Sequence, residues 1–349
     1  MTNGAIDGLL FCGNILIPSL FPFMVLSSFL VYSGLSFYIS KIFGIINKTL
    51  FNLPSITCAT VFLGMFGGFP VGARGIRSML DEKQITEITA RQMLYFSVGA
   101  GPAFVVFAVG LSMLNSVYYG VLLFCSQLIS QIILAIIIGC HYKKKYANTA
   151  SCYACKSVRV DFSTAIVKSC SDAVTGVLNL CGMVILFSAF MGIIADIKLD
   201  TTIQNFLINI GIEHSIAKTL LASLLEVTTF CNLAHLNNTP IEFIAFGIGF
   251  SGLCVHFQVF SALGNLKFSK KMFFVCRFFQ GVISTLLTHI ALIIYNPTPT
   301  TDVFSNLTNA PTQSISTTFL GAMALIFTSI CFIFANKLTK RNAIAYNNK

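Results

Sequence analysis

From Gln92 to Cys140 the sequence runs without a formal charge. A helix rising about 1.5 Å per residue crosses roughly 30 Å of hydrocarbon in about 20 residues. The run is twice that length, so it must turn inside itself, and Asn115-Ser116 offers the turn. Soluble folds are excluded by the same property on the scale of the chain. Only 10% of its residues are charged and 55% are hydrophobic, where a soluble domain carries roughly a quarter charged. In lipid every backbone polar group needs an internal partner, which helices supply. The expected fold class is an all-α polytopic membrane protein.

The formal net charge of +10 comes from basic residues scattered between apolar runs, with no basic face, so nucleic-acid binding is not expected. The first charged residue is Asp7 and the first basic one Lys41. That start reads as a retained first span rather than a cleaved signal, which needs a basic beginning. The twelve cysteines are mostly solitary within apolar stretches, as small hydrophobes are. Cys152 and Cys155 form one C-x-x-C pair without the second half of a zinc site, and His141, His214, His235, His256 and His289 do not cluster. No metal, no cofactor and no enzymatic activity are expected.

Apolar runs at 8–34 (interrupted by Pro18 and Pro22), 92–114, 117–140, 173–195, 243–262, 272–295 and 317–335 predict seven crossings. Two apolar segments, 54–68 and 215–229, are too short to cross and end in Gly/Pro or polar chemistry. Such segments suit re-entrant hairpins, whose tips are tolerated only inside protein or a cavity. The distribution of basic residues supports this plan: with the N-terminus outside, every Lys and Arg except Lys198 and Lys218 falls on the inner side.

The first hairpin (54–85) then opens from inside and the second (215–238) from outside. Each precedes a glycine-broken helix, 86–114 or 240–262, and a cleaner span, 117–140 or 272–295. Two inverted repeats are thus expected, 1–140 and 161–295, the second beginning with a span at 163–195. A basic linker, 141–160, joins them, and 296–349 adds an outer loop, a final span at 317–336 and a basic tail. Inverted repeats with broken helices are the plan of secondary transporters.

The stretch GGFPVGARG (67–75) puts Gly68, Pro70, Gly72 and Arg74 at the first tip. Glycines permit tight turning, and the restarting helix aims free N–H groups and a positive dipole end inward. Arg74 adds a cation able to grip a carboxylate; a kink with Arg74 snorkelling to the interface is the plainer alternative. In SVGAGPAFVV (97–106), Gly99 and Gly101 break the helix and Pro102 suits the first position of its second half. In the second repeat, Glu226 with Thr228 and Thr229 follows the second hairpin, and Gly252, His256 and Gln258 mark the broken helix. An ionisable residue at that depth is a functional candidate; Glu226 suits pairing with Arg74 or carrying a coupling proton, and a purely structural acid or histidine is the alternative. Asn14 and Ser19, flanking Pro18, fit polar packing between helices better than a solute path.

ILIPSLFPFMVLSSFL, LGMFGGFPVGARG, SVGAGPAFVV, LLEVTTF and SGLCVHFQVFSAL, in this order, resemble the successive motifs of the YlbJ-type sporulation integral membrane proteins in the nucleoside-recognition (Gate) superfamily. The family motif usually reads G-Y-P-V-G-A-K, so Phe69 and Arg74 depart from it while keeping the charge. The resemblance implies a core like that of concentrative nucleoside transporters, residence in the outer forespore membrane of a sporulating bacterium, and transport of dipicolinate, a small aromatic dianion. A nucleoside or metal-ion carrier and a non-transporting membrane scaffold stay open as alternatives, as does homo-oligomer formation.

Overall fold

The computed structural model describes residues 2–145 and 161–294. The chain divides at Asn296 into two units; the second, 297–349, with the expected outer loop and final span, lies outside the described residues, as do Cys152 and Cys155 of the linker. Every described element is helical.

The first apolar run forms α1 (Thr2–Phe11) and α2 (Ile17–Tyr32), joined through a π-helical turn at Cys12–Leu16. Pro18 has no N–H to give Asn14, and its ring crowds that carbonyl. The wider turn accommodates both, with Ile17 N–H donating to Cys12 O. α1 packs on α8 (Phe162–Asp196) at very close range. A methyl group at Gly4 would lie 2.4 Å from Ser188 O, and one at Gly8 would lie 3.1 Å from Ile185 Cα. The spacing is the small-xxx-small device that lets membrane helices approach backbone to backbone. Between α2 and the first hairpin lies α3 (Leu35–Phe51), flanked by Gly34 and Asn52 in left-handed conformations, with Lys41 and Lys48 exposed.

One succession of elements then occurs twice. In the first half α4 (Cys58–Phe66) breaks at Gly67-Gly68 and restarts as α5 (Phe69–Asp81). The next helix, α6 (Glu87–Leu94), unwinds over 95–102 and resumes as a π-helical segment (Ala103–Met113), and α7 (Val117–Lys145) completes the half. The turn falls at Asn115, with a positive φ of 50°, as expected. Gly110 and Gly120 meet across it; a methyl group on Gly110 would lie 2.4 Å from Gly120 Cα. In the second half, after α8 and α9 (Leu199–Asn209), α10 (His214–Leu225) breaks at Glu226 and restarts as α11 (Val227–Leu236). Next, α12 (Ile241–Phe250) breaks at Ser251-Gly252 and restarts as α13 (Gly252–Leu263), and α14 (Lys270–Ile294) completes the half. None of the residues of α9 is buried.

Four described helical stretches are long and apolar enough to cross a membrane: Val117–Lys143, Phe162–Asp196, Ile241–Leu263 and Lys270–Ile294. These establish a multi-pass membrane protein. Of the seven expected crossings, those at 8–34, 92–114 and 243–262 fall on interrupted helices, and the one at 317–335 lies outside the described residues. The main apolar core gathers α4–α7 and α11–α14. A second packs α1, α2 and α8 over Val71 of α5 and Cys254 of α13.

Candidate functional site

Each half brings its two breaks into contact. At the first hairpin tip Gly68 has φ 100° and ψ 168°, a region essentially reserved for glycine. Gly101 of the unwound segment packs directly on it: a methyl group there would lie 2.8 Å from Phe66 O and 3.0 Å from Gly68 N. The second half repeats the arrangement. Gly252 (φ 72°) packs on the tip at Leu225-Glu226, where a methyl group would lie 3.1 Å from Leu225 O and 3.2 Å from Glu226 N. At these two positions only hydrogen fits.

Three of the four breaks line one cavity of about 50 Å³, at Gly68, Ala100-Gly101 and Glu226; the fourth, Ser251-Gly252, is buried, and its helix α13 reaches the wall only through Val255 and Gln258. The cavity walls are Leu16, Leu20, Gly68, Phe69, Pro70, Ala100, Gly101, Phe104, Leu180, Val184, Glu226, Val227, Thr228, Val255 and Gln258. Glu226 is the one ionisable side chain among them. Of the expected site residues, Gly68, Pro70, Gly101, Glu226, Thr228 and Gln258 are brought together here.

The remaining expected residues lie elsewhere, for identifiable reasons. Gly252 is packed against the Leu225-Glu226 backbone and not on the cavity wall. Gly72 lets α5 cross α4 and the unwound segment, since a methyl group there would lie 2.6 Å from Ser97 O and 3.0 Å from Gly64 Cα. Gly99 lies under the Gln131 amide of α7. Pro102 caps the π-helical segment one residue beyond the cavity wall. Thr229 lines the vestibule described below rather than the cavity. His256 is fully buried, ringed edge-on by Phe250, Phe273 and Phe274, with Nε2 2.8 Å from Phe250 O; it is a packed interior histidine.

Arg74 departs most from expectation. It sits one turn beyond Pro70, but its guanidinium turns to α8, where NH1 donates to Asp172 O at 2.6 Å. Gly176 makes the room: a methyl group there would lie 2.2 Å from Arg74 Nε. In place of the expected Arg74–Glu226 pair, the Glu226 carboxylate caps its own helix. Oε1 accepts from Thr228 N–H at 2.9 Å and Oε2 from Thr229 N–H at 2.5 Å. The α11 terminus therefore already holds an anion, supplied by the chain, at the position where the helix dipole favours one. The α5 terminus beside it has no side-chain cap.

A larger vestibule of about 720 Å³ meets the cavity at Val184, Glu226 and Thr228. Its walls carry Asp7, Asp196, Asp200 and Glu226 against Lys218, with Gln204, Thr229 and Asn232 among its uncharged polar groups. Formally that is four negative charges and one positive, so the field attracts cations and opposes free anions. Asp196 and Asp200 are near neighbours in sequence, but Asp7 and Glu226 join them only through the fold. Among the described residues no three His, Cys, Asp or Glu side chains gather as a metal site.

Interrupted helices, spans of membrane length and a cavity within the bundle define a multi-pass integral membrane protein of the all-α class. The chain is 23% identical to the sporulation integral membrane protein YlbJ of Bacillus subtilis (strain 168), over 91% of this chain and 84% of that one. It is a homologue of that protein across nearly its whole length, which bears out the YlbJ-type resemblance read from its motifs. No family model matches the chain, and no solved structure matches it. The five motifs that carry the resemblance contribute every wall of the cavity except Leu180 and Val184 of α8.

Proposed function

We propose that the protein is a secondary transporter of a small anionic metabolite, working by alternating access around the cavity where the helix breaks of the two halves meet. The observation that carries the reading is the convergence of both breaks of the first half and the hairpin break of the second, with residues of all five motifs, on one small cavity. Backbone interruption inside a membrane bundle is tolerated where it is buried in protein or lines a cavity, and repeated interruption about a shared site is how secondary transporters hold their substrates. The two halves are read as inverted repeats with re-entrant hairpins α4–α5 and α10–α11, like the core of Gate-type and concentrative nucleoside transporters. The bundle reads as a carrier that performs no covalent step.

Glu226 supplies the gating chemistry in this reading. Its carboxylate occupies the two α11 amides that an incoming carboxylate would need, and it contributes to the negative field of the vestibule. Protonating Glu226 weakens both hydrogen bonds, lowers that field and frees the amides for the solute, which couples anion entry to a proton. The uncapped α5 terminus at Gly68–Pro70 faces the same cavity from the other half. A cavity of about 50 Å³ holds only a few waters, so a solute such as dipicolinate requires the hairpins to part. Dipicolinate is the substrate, and the outer forespore membrane of a sporulating cell the location, that the family resemblance suggests.

The test is uptake into proteoliposomes under an inward proton gradient, with dipicolinate, a nucleoside and a divalent cation as alternative solutes. Gradient-dependent dipicolinate uptake that is lost in Glu226→Gln supports the proposal. Uptake of the nucleoside or cation alone would replace the substrate class. Absence of uptake and of ligand-induced thermal stabilisation for all three would favour a scaffold.

A further inference from the structure

Arg277 of α14 is the largest fully buried side chain in the molecule's described part, with 0% exposure. The charge distribution expects it on the inner side of the membrane, but it lies in the bundle interior. Its guanidinium reaches across to the first half: NH2 donates to Tyr95 O at 3.0 Å and NH1 donates to Val98 O. The ring of Phe273 lies 5.5 Å from the guanidinium carbon. Tyr95 caps the C-terminus of α6, so its carbonyl belongs to the negative pole of that helix, and Val98 lies within the unwound segment, where its carbonyl has no intrahelical partner. A buried cation is tolerated only when its charge and donors are met. Here two carbonyls meet two of the three guanidinium nitrogens and an aromatic face meets the charge, while Nε is buried without a hydrogen-bond partner; those carbonyls are free to accept only while 95–98 stays unwound.

We infer that Arg277 is a positioning residue: α14 of the second half clamps the unwound segment of the first, setting Gly101 against the Gly67-Gly68 tip and fixing that wall of the cavity. Arginine suits this task because its planar fork carries several donors in fixed geometry. A lysine ammonium keeps the charge but loses the fork. The neighbouring Gln131, against Gly99, has both amide atoms buried without a hydrogen-bond partner, so it does not substitute for the clamp. The consequence for solute binding rests on the transporter reading; the clamp itself does not.

Hydrogen–deuterium exchange on the full chain in detergent micelles tests the clamp directly, with solute uptake measured alongside. Losing two hydrogen bonds from a charged donor should speed exchange of amides 96–101 by at least about tenfold in Arg277→Gln. Arg277→Lys should fall between that variant and the wild type, with amides of α8 and α10 unchanged in both. For a transported solute, KM should rise in the same order. Unchanged protection of 96–101 in Arg277→Lys and Arg277→Gln would overturn the clamp. If Arg277→Gln is not recovered as monodisperse protein, Arg277→Lys decides alone. Lost protection with unchanged KM would overturn the role toward the solute. Lost protection in a protein that moves no solute would leave the clamp standing and refute the transporter reading.

Discussion

Replacing Gly68 with alanine isolates the backbone conformation of the first tip from its chemistry. At φ 100° and ψ 168° the position is open essentially to glycine alone, and holding another residue there costs about 1–3 kcal/mol. Sterics add little, because the new methyl carbon would lie 3.0 Å from Leu20 Cδ2 and 3.8 Å from Gly101 N, and a leucine methyl gives way cheaply. The strained tip will relax, and the population keeping the native geometry should fall by roughly 5- to 150-fold. Gly182→Ala in α8 is the matched control. It has open space around it and sits inside a helix, where alanine gains up to about 1 kcal/mol over glycine. The assay pairs thermal unfolding in detergent with initial uptake rates in proteoliposomes. Gly68→Ala should lower the unfolding midpoint and cut uptake, while Gly182→Ala leaves both unchanged or slightly improved. If the two variants behave alike, the tip is not held in the conformation described and the reasoning fails.

Other residues give sharp expectations. Glu226→Gln leaves one α11 amide with a weaker acceptor and the other without one, a loss of about 1–3 kcal/mol; uptake should also lose its dependence on the proton gradient, measured by collapsing that gradient with an ionophore. Gly176→Ala would place a methyl group 2.2 Å from Arg74 Nε, expelling the guanidinium from α8. It should lower the unfolding midpoint by an overpacking cost of about 1–3 kcal/mol, while KM for the transported solute stays unchanged, since Arg74 does not line the cavity. His256→Phe, within its ring of phenylalanines, should leave both substrate preference and the pH profile of uptake as they are.

The breaks were legible in the sequence because backbone chemistry is local. Gly67-Gly68, Gly99 with Gly101, Glu226 and Gly252 each interrupt an apolar run, and the structure breaks the helices at or beside each of them. The turn at Asn115 was legible for the same reason. Side-chain direction was not. Whether Arg74 faces the cavity or α8 is decided by a gap at Gly176 about a hundred residues away, and no local pattern reports that gap. Arg277 looked like an interfacial cation because its neighbours Lys267, Lys270 and Lys271 are basic. Its burial depends on acceptors at Tyr95 and Val98 in the other half. The π-helical segment Ala103–Met113 and the amphipathic α3 likewise left no signature beyond hydrophobicity and helix-compatible residues. Leu180 and Val184 belong to the cavity only because α8 passes it, and as apolar residues they read like any lipid-facing position.

The central claim is that solute passes through the cavity where the breaks meet, reached from the vestibule at Thr228. Its most direct measurement is thiol labelling of Thr228→Cys in proteoliposomes, in a background with the exposed Cys125 and Cys140 replaced by serine. A membrane-impermeant methanethiosulfonate reagent should reach the new thiol, the transported solute should slow the labelling, and completed labelling should abolish uptake. A thiol that labels at the same rate with and without solute, in protein whose uptake survives full modification, would contradict the account.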